Sequence, residues 1–186
     1  KKQIIRTLYF QGSMSNSELS KMIQLSTPKI NSLLIELIED GLVKELGRGD
    51  SSGGRRPNIY GLIEDAFYVV GITININRTI VSVFNSNNKE VDGPHILPVR
   101  MQPDFRIFSE VSNELDRIFQ NIQIEKEKVL VVGIELPGLI NQKKGINKTY
   151  FPDIENLSGE LENIFGLPVF ISHDSKLRAF TEQQFG

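Results

Sequence analysis

Residues 51–57 read SSGGRRP and lie between a helix-turn-helix-like segment and a segment with a different hydrophobic period. Two glycines permit a tight backbone turn, two arginines carry permanent positive charge, and a proline restricts the backbone where the stretch ends. A flexible basic tip of this kind is suited to contacting nucleic-acid phosphates before the chain enters another domain. The stretch therefore predicts two domains and favours a role in gene regulation.

The composition narrows the class of protein. A chain of 186 residues is long enough for one large or two small domains, and its residue usage is that of an ordinary globular protein. No apolar run reaches the length of a membrane span, and no N-terminal stretch has the order of a signal peptide. The absence of cysteine excludes disulfides and thiolate metal ligands within this sequence. These features favour a cytoplasmic protein that does not bind membranes.

Positive charge is concentrated in the first third of the chain. Residues 1–62 contain nine Lys and Arg against six Asp and Glu, whereas the remaining residues contain 12 against 17. A basic front and an acidic back predict that only the front contacts phosphate.

Three helices are predicted before residue 42. Residues 4–10 have apolar side chains at helical spacing, which predicts an amphipathic helix. A folded helix there favours the interpretation that these residues belong to the native protein. The alternative is that residues 8–14, which include LYFQG, are the remnant of a protease-cleavage tag. Ser15 and Glu18 have the spacing of a capping box, and the short helix they open is predicted to bury Leu19, Met22 and Ile23.

The third helix is predicted to begin at Thr27-Pro28, because proline is tolerated in the first turn, and to end at Gly41. Its buried stripe is Ile30, Leu33, Leu34 and Leu37, and its opposite face carries Pro28, Asn31, Ser32 and Ile35. In a helix-turn-helix the N-terminal end of this helix enters the major groove of DNA. The predicted DNA contacts on this helix are Thr27, Lys29, Asn31 and Ser32.

A hairpin with a basic tip follows. Residues 42–46 and 58–62 have the pattern of strands, and residues 47–56 form a polar loop between them. Such a wing can contact the minor groove or the DNA backbone, and its predicted contacts are Arg48, Arg55 and Arg56. The alternative is a helix-turn-helix that serves protein contact or simple packing, with arginines that are merely solvated.

From residue 67 the pattern becomes mixed α/β. Strands are predicted over residues 68–75, 79–84, 96–99, 129–135 and 168–172, and helices over residues 105–119, 157–165 and 175–185. Strands followed by helices after an antiparallel start predict a mixed sheet. The predicted domains are residues 1–62 and residues 63–186.

Three stretches in this order resemble the N-terminal portion of transcriptional regulators of the ROK family (repressors, open reading frames, kinases), of the xylose-repressor type. They are SSGGRRP at 51–57, VGIELPGLI at 132–140, and FGLPV at 165–169 leading to His173-Asp174. The resemblance implies a ribonuclease-H/actin-like α/β lobe, truncated here, behind the winged helix. It also implies that a sugar or sugar derivative is the effector.

The resemblance places the family's catalytic base on Asp174 and puts His173 where an asparagine is usual. It implies sugar contacts at Gly138, Asn147, His173 and Asp174, although Asp174 is also suited to cap a helix and Gly138 to form a plain turn. The family's zinc site would lie beyond Gly186. No metal or cofactor is therefore assigned to these residues.

Kinases of the family begin this lobe with a glycine-rich phosphate loop that carries an aspartate. The equivalent stretch here has Thr73 at the acidic position and Asn75, Ile76 and Asn77 in place of small residues. Side chains at those positions would crowd a phosphate. The expectation is a protein that is not an enzyme, and an ATP-dependent sugar kinase with an accessory winged helix is the alternative.

The sequence as a whole predicts a sugar-responsive, DNA-binding transcriptional regulator, a repressor of carbohydrate metabolism genes. Its expected partners are operator DNA, a sugar effector and a second copy of itself, as a homodimer or higher homo-oligomer.

Overall fold

The computed structural model describes residues 1–49 and 56–173, which fall into two compact units. The first unit comprises Lys1–Phe67 together with Asn85–Lys89, and the second comprises Tyr68–Phe84 and the described residues from Glu90 onward. The sequence predicted a change of domain after residue 62, and the first unit extends five residues beyond that point.

The first unit contains three helices and a small sheet. Its elements are α1 Lys2–Gln11, β1 Met14–Ser15, α2 Asn16–Ile23, α3 Thr27–Glu39, β2 Val43–Arg48 and β3 Asn58–Leu62. The sheet has the order β1-β3-β2, and both strand pairs are antiparallel. The three helices and both wing strands were predicted, whereas the two-residue strand β1 was not.

The core of this unit comes from the inward faces of the helices and the ends of the wing strands. Its buried apolar members are Ile4, Leu8, Leu19, Ile30, Leu34, Leu37, Val43, Leu62 and, after the wing, Phe67. The burial predicted for Met22 is wrong, since 53% of this residue is exposed. Helix α2 has only eight residues, barely two turns, and buries the Leu19 position alone.

The predicted capping box at the start of α2 is confirmed. The Glu18 backbone N–H donates to the Ser15 hydroxyl (3.2 Å), and the Glu18 carboxylate accepts from the Ser15 backbone N–H (2.7 Å) and from its hydroxyl (2.7 Å). These bonds favour the ionised carboxylate and lower the pKa of Glu18, with the Ser15 hydroxyl as the main cause.

We expect the capping box to make the first unit sensitive to acid. The lowered pKa of Glu18 stabilises the fold above the ordinary glutamate value of 4.5, and this contribution is lost as pH falls through the lowered pKa. The melting temperature should therefore fall less on acidification in Glu18→Ala than in the wild type. Thermal unfolding at several pH values between neutral and acidic measures this difference. Glu39→Ala, which removes an exposed carboxylate at the end of α3, is the matched control. Parallel pH curves for the wild type and Glu18→Ala would contradict this expectation.

The second unit is a mixed sheet with helices. Its elements are β4 Tyr68–Ile74, β5 Thr79–Asn85, β6 Glu90–Leu97, α4 Arg106–Ile122, β7 Val129–Leu136, β8 Ile140–Asn141, β9 Ile146–Asn147, α5 Leu157–Phe165 and β10 Val169–His173. The main sheet has the order β10-β7-β4-β5-β6, in which β4, β7 and β10 are parallel and β6 runs antiparallel to β5. Strands β8 and β9 form a separate hairpin.

One face of this sheet supplies the core. Residues along β4 and β5 alternate between buried and partly exposed, as expected for strands with one covered face. The buried residues of the strands form one cluster with those of α4 and α5, including Val70, Ile72, Val132, Ile134, Phe108, Leu115, Leu161 and Phe165. The mixed α/β architecture predicted from the sequence is therefore confirmed.

The third strand of this unit differs from its prediction. The sequence predicts it at residues 96–99, but β6 spans Glu90–Leu97. It includes His95, whose ring lies 2.6 Å from the Asp92 carboxylate. Because β6 is the edge strand, it tolerates Pro94 and carries few apolar residues, so its sequence lacks a strand pattern. The helix predicted at 175–185 lies outside the described residues.

The turn between β5 and β6 belongs to the first unit rather than to the sheet that it connects. The buried Ser86 hydroxyl donates to the backbone carbonyls of Ile63 and Glu64, and the Asn85 side-chain amide donates to the Glu64 carboxylate (3.1 Å). The Tyr9 hydroxyl donates to the Asn88 side chain (2.9 Å). Across residues 1–49 and 56–173, no helix is both long and apolar enough to cross a membrane.

Candidate nucleic-acid interface and effector site

The exposed face of α3 carries every DNA contact predicted for this helix. Thr27, Lys29, Asn31 and Ser32 are all exposed, while Ile30, Leu34 and Leu37 hold the opposite face in the core. The turn before α3 is fixed by the Ser20 hydroxyl, which donates to the carbonyl of Leu25 (2.5 Å) and lies 3.4 Å from the Thr27 hydroxyl. The structure therefore leaves all four predicted residues accessible on α3.

Asn31 is held in place by a residue that the sequence did not single out. The Asn16 side-chain amide, at the first position of α2, donates to the Asn31 side-chain oxygen (3.0 Å). The sequence signal for Asn16 is that it is a polar residue directly after the capping serine. Its partner could not be predicted, because that depends on how α2 and α3 pack.

The wing places two of its predicted arginines at the base of its tip. Arg48 ends β2 and lies opposite Asn58 in the antiparallel register, and Arg56 is exposed just before β3. The Gly49 backbone N–H donates to the carbonyl of Pro57 (2.8 Å) and closes this base. Arg55 lies outside the described residues, as do residues 50–54.

A groove of about 570 Å³ lies between α3 and the wing within the first unit. It is lined by Asn16, Asn31, Leu34, Ile35, Ile38, Arg56, Pro57, Asn58 and Tyr60. Residues from the helix and from the hairpin therefore face one common space, which has both polar and apolar walls.

In the second unit, the carboxyl ends of three parallel strands form a polar edge. Thr73, Glu135 and Ser172 are neighbours in the register of β4, β7 and β10. The Thr73 hydroxyl donates to the Glu135 carboxylate (3.1 Å), and the Gln142 amide donates to the Ser172 hydroxyl (2.8 Å). The sequence did not predict these pairings because they depend on the strand register.

The loop after β7 is organised around Asn147. This residue is 0% exposed, its amide donates to the carbonyl of Pro137 (3.0 Å), and its oxygen accepts from the backbone N–H groups of Thr149 (3.1 Å) and Tyr150 (3.2 Å). These bonds hold the loop that contains Gly138 in position. The sugar contact that the family resemblance implies for Asn147 stays a prediction.

Gly138 occupies a conformation that requires glycine. Its φ is +96°, and a Cβ built there would lie 2.8 Å from the Thr149 Cβ and 3.1 Å from the Asn147 side-chain oxygen. The Thr149 hydroxyl accepts from the Leu139 backbone N–H (2.9 Å), so the residues that the Cβ would displace also hold the loop.

Gly138→Ala is therefore expected to lower the free energy of unfolding by about 1–3 kcal/mol, the usual cost of a disfavoured backbone conformation. Urea denaturation monitored by circular dichroism measures this change. Gly71→Ala is the matched control, since its Cβ would meet nothing nearer than 3.6 Å. Equal losses of stability in the two variants would contradict the expectation.

In the turn between β4 and β5, one side chain accepts hydrogen bonds from two backbone N–H groups of the same turn. The Asn75 side-chain oxygen accepts from the backbone N–H groups of Asn77 (2.8 Å) and Arg78 (3.0 Å). The Asn75 backbone N–H donates to the carbonyl of Arg78 (3.0 Å) and completes the turn.

The last described residue, His173, ends β10 beside Leu136 at the end of β7. It therefore lies at the same edge of the sheet as the start of the Gly138 loop. Asp174 falls outside the described residues. Within the described part of the chain, no group of three or more His, Asp or Glu side chains is arranged to hold a metal ion.

The family model described as ROK family matches residues 69–186. The chain belongs to the ROK family. A second model, described as winged helix-turn-helix DNA-binding, matches residues 1–44. Both parts of the fold predicted from the sequence, the winged helix and the ROK lobe, are therefore confirmed.

Two curated relatives of this ROK-family chain are similar along nearly its whole length. The DNA-binding transcriptional dual regulator NagC of Escherichia coli (strain K12) is 25% identical over 98% of the chain and 46% of its own length. The xylose repressor of Bacillus subtilis (strain 168) is 26% identical over 100% of the chain and 48% of its own length. The chain spans about half the length of these relatives.

Two solved structures share the fold. A ROK family transcriptional regulator, described as a homolog of the E. coli MLC protein, superposes with a TM-score of 0.73 at 21% identity over 98% of this chain and 47% of its own. A ROK hexokinase from Thermus thermophilus superposes with a TM-score of 0.51 at 18% identity over 63% of this chain and 38% of its own. The ROK lobe is thus shared with an enzyme, whereas the regulator matches nearly the whole chain.

Proposed function

We propose that this ROK-family chain is the DNA-binding and part of the sugar-sensing portion of a transcriptional repressor of carbohydrate genes. The observation that carries the proposal is the exposed polar surface of α3, whose Asn31 shares a groove with Arg56 at the basic base of the wing. Relatives named xylose repressor and NagC extend over both parts of the chain and support the same conclusion.

In this proposal the N-terminal part of α3 enters the major groove of an operator. Lys29, Asn31 and Ser32 contact bases or phosphates there, with Thr27 at the helix start. Arg48 and Arg56, together with Arg55, contact the adjacent backbone or minor groove. A homodimer would hold two half-sites.

The proposed effector is a sugar that binds at the carboxyl edge of the parallel strands. Gly138, His173 and Asp174 are the proposed direct contacts, and Asn147 holds the Gly138 loop in position. Sugar hydroxyl groups both donate and accept hydrogen bonds, so they suit a polar edge of this kind. The sugar would shift the dimer toward an arrangement that no longer matches the operator spacing, which requires different affinities for the two states.

We further propose that the chain does not transfer phosphate. A phosphate loop needs backbone N–H groups that point at the ligand, and here the Asn75 side chain accepts from two of them. Thr73, at the position of the family's acidic residue, is bonded to Glu135, whose carboxylate would repel a phosphate placed beside it. The cytoplasmic location and the homodimer remain predictions from the sequence.

Replacing Arg48 and Arg56 together with alanine should weaken binding to an operator and reduce its salt dependence. Removing one phosphate contact lowers the slope of log affinity against log salt by about one, so the slope of the double variant should fall by roughly two. Fluorescence anisotropy with a labelled operator, titrated over a range of KCl concentrations, measures both quantities. Lys144→Ala with Lys148→Ala, two exposed lysines of the second unit, is the matched control. If the arginine variant has the same salt dependence as the wild type, these arginines of the wing do not contact DNA phosphates.

ATP should neither bind nor be consumed. An assay of ADP release with Mg·ATP and a panel of monosaccharides, performed on the full-length protein, should stay at the background rate because the loop's donors are already used. A sugar kinase assayed in parallel provides the positive control. Sugar-dependent turnover that Asp174→Asn abolishes would overturn the regulator proposal in favour of a kinase.

A further inference from the structure

Two apolar side chains interrupt the polar face that α3 presents. Ile35 is 57% exposed and Ile38 is 40% exposed, although both lie within a helix whose other face fills the core. Ile35 lies one helical turn after Asn31, so the two side chains are neighbours on the helix surface. A lone exposed isoleucine is ordinary, but this pair lies in the groove between α3 and the wing.

The walls of that groove indicate what occupies it. Its helix side carries the Asn16 and Asn31 carboxamides, and its wing side carries Arg56, Asn58 and Tyr60. None of the described residues that line the groove is acidic. An apolar protein segment placed there would desolvate these polar groups without giving them partners, which is costly. A nucleic acid offers phosphates to Arg56 and base edges to the carboxamides, so the lining favours DNA as the occupant.

The major groove of DNA offers one apolar group on its base edges, the 5-methyl of thymine. Asn31 and Ile35 are about 6 Å apart along the helix axis, and successive base pairs are about 3.4 Å apart along the DNA axis. These two side chains can therefore reach bases that are one or two pairs apart. The exposed hydrogen bond from Asn16 favours one orientation of the Asn31 side chain, four residues before Ile35.

We propose that Ile35 packs against the 5-methyl group of a thymine in the operator, one or two base pairs from the base that Asn31 contacts. Ile38 lines the same groove one turn further along and excludes water from this contact. The inference rests on the proposed DNA-binding function and adds a specificity-determining residue to it.

The test compares thymine with deoxyuridine, which lacks only the methyl group. An operator is first selected from a random duplex library with the wild-type chain, and each thymine is then replaced singly by deoxyuridine. At one position, wild-type affinity should fall about fourfold, the effect of exposing one methyl-sized group. Ile35→Ala should bind the thymine operator about fourfold more weakly and should not distinguish the two bases at that position.

The control variant is Met22→Ala, which removes an exposed apolar side chain of α2 and should keep the wild-type discrimination. Ile35→Ala should retain the fold, because Ile35 is exposed and alanine favours helix. The series of deoxyuridine operators is measured with the wild-type chain and needs no variant. Wild-type affinity that is unchanged at every deoxyuridine position would overturn the inference while leaving the DNA-binding function intact. Weaker self-association in Ile35→Ala, with base discrimination retained, would overturn it in favour of a protein contact. Failure of the wild type to retain any DNA would count against the proposed function itself.

Discussion

The parallel pairing of β4, β7 and β10 is the constraint on which the second unit depends. Parallel strands end at a common edge of the sheet, and the register here sets Thr73, Glu135 and Ser172 side by side. The segments that leave these strands, including the turn at Asn75 and the loop at Gly138, therefore start from one edge. In open α/β sheets this edge is where ligands bind.

A comparable constraint governs the first unit, where burial of one helix face determines the other. Once Ile30, Leu34 and Leu37 lie in the core, the helical period leaves Asn31 and Ile35 on the accessible side. The proposed recognition surface thus needs no separate signal in the sequence, since it is the part of α3 that the apolar stripe leaves exposed. The start of α3 at Thr27-Pro28 then determines where that surface begins.

Elements with strong local signals were predicted to the residue, as β3 at Asn58–Leu62 and α5 at Leu157–Phe165 show. Strand β6 was misplaced because an edge strand needs little apolar surface, and the β8–β9 hairpin was missed because two-residue strands have no periodicity. The family resemblance singles out Asn147, but its burial and its three hydrogen bonds depend on the fold of the loop around it. Arg48 and Lys29 could be proposed as DNA contacts from the sequence because charge is a property of the residue itself. The Asn16–Asn31 and Thr73–Glu135 bonds could not be predicted, because each joins residues of different elements.

The turn at Asn85–Lys89 has a consequence for how this protein can evolve and be engineered. Because the turn belongs to the first unit while the strands on either side belong to the second, the chain passes between the units three times. A cut after Leu62 strips the winged helix of Ile63 and Glu64, and a cut after Phe67 separates them from the buried Ser86 that they bind. The winged helix therefore cannot be exchanged between proteins as residues 1–62 alone without losing these hydrogen bonds. A chimaera that transplants it intact has to carry the turn as well, or to replace its buried polar groups in concert.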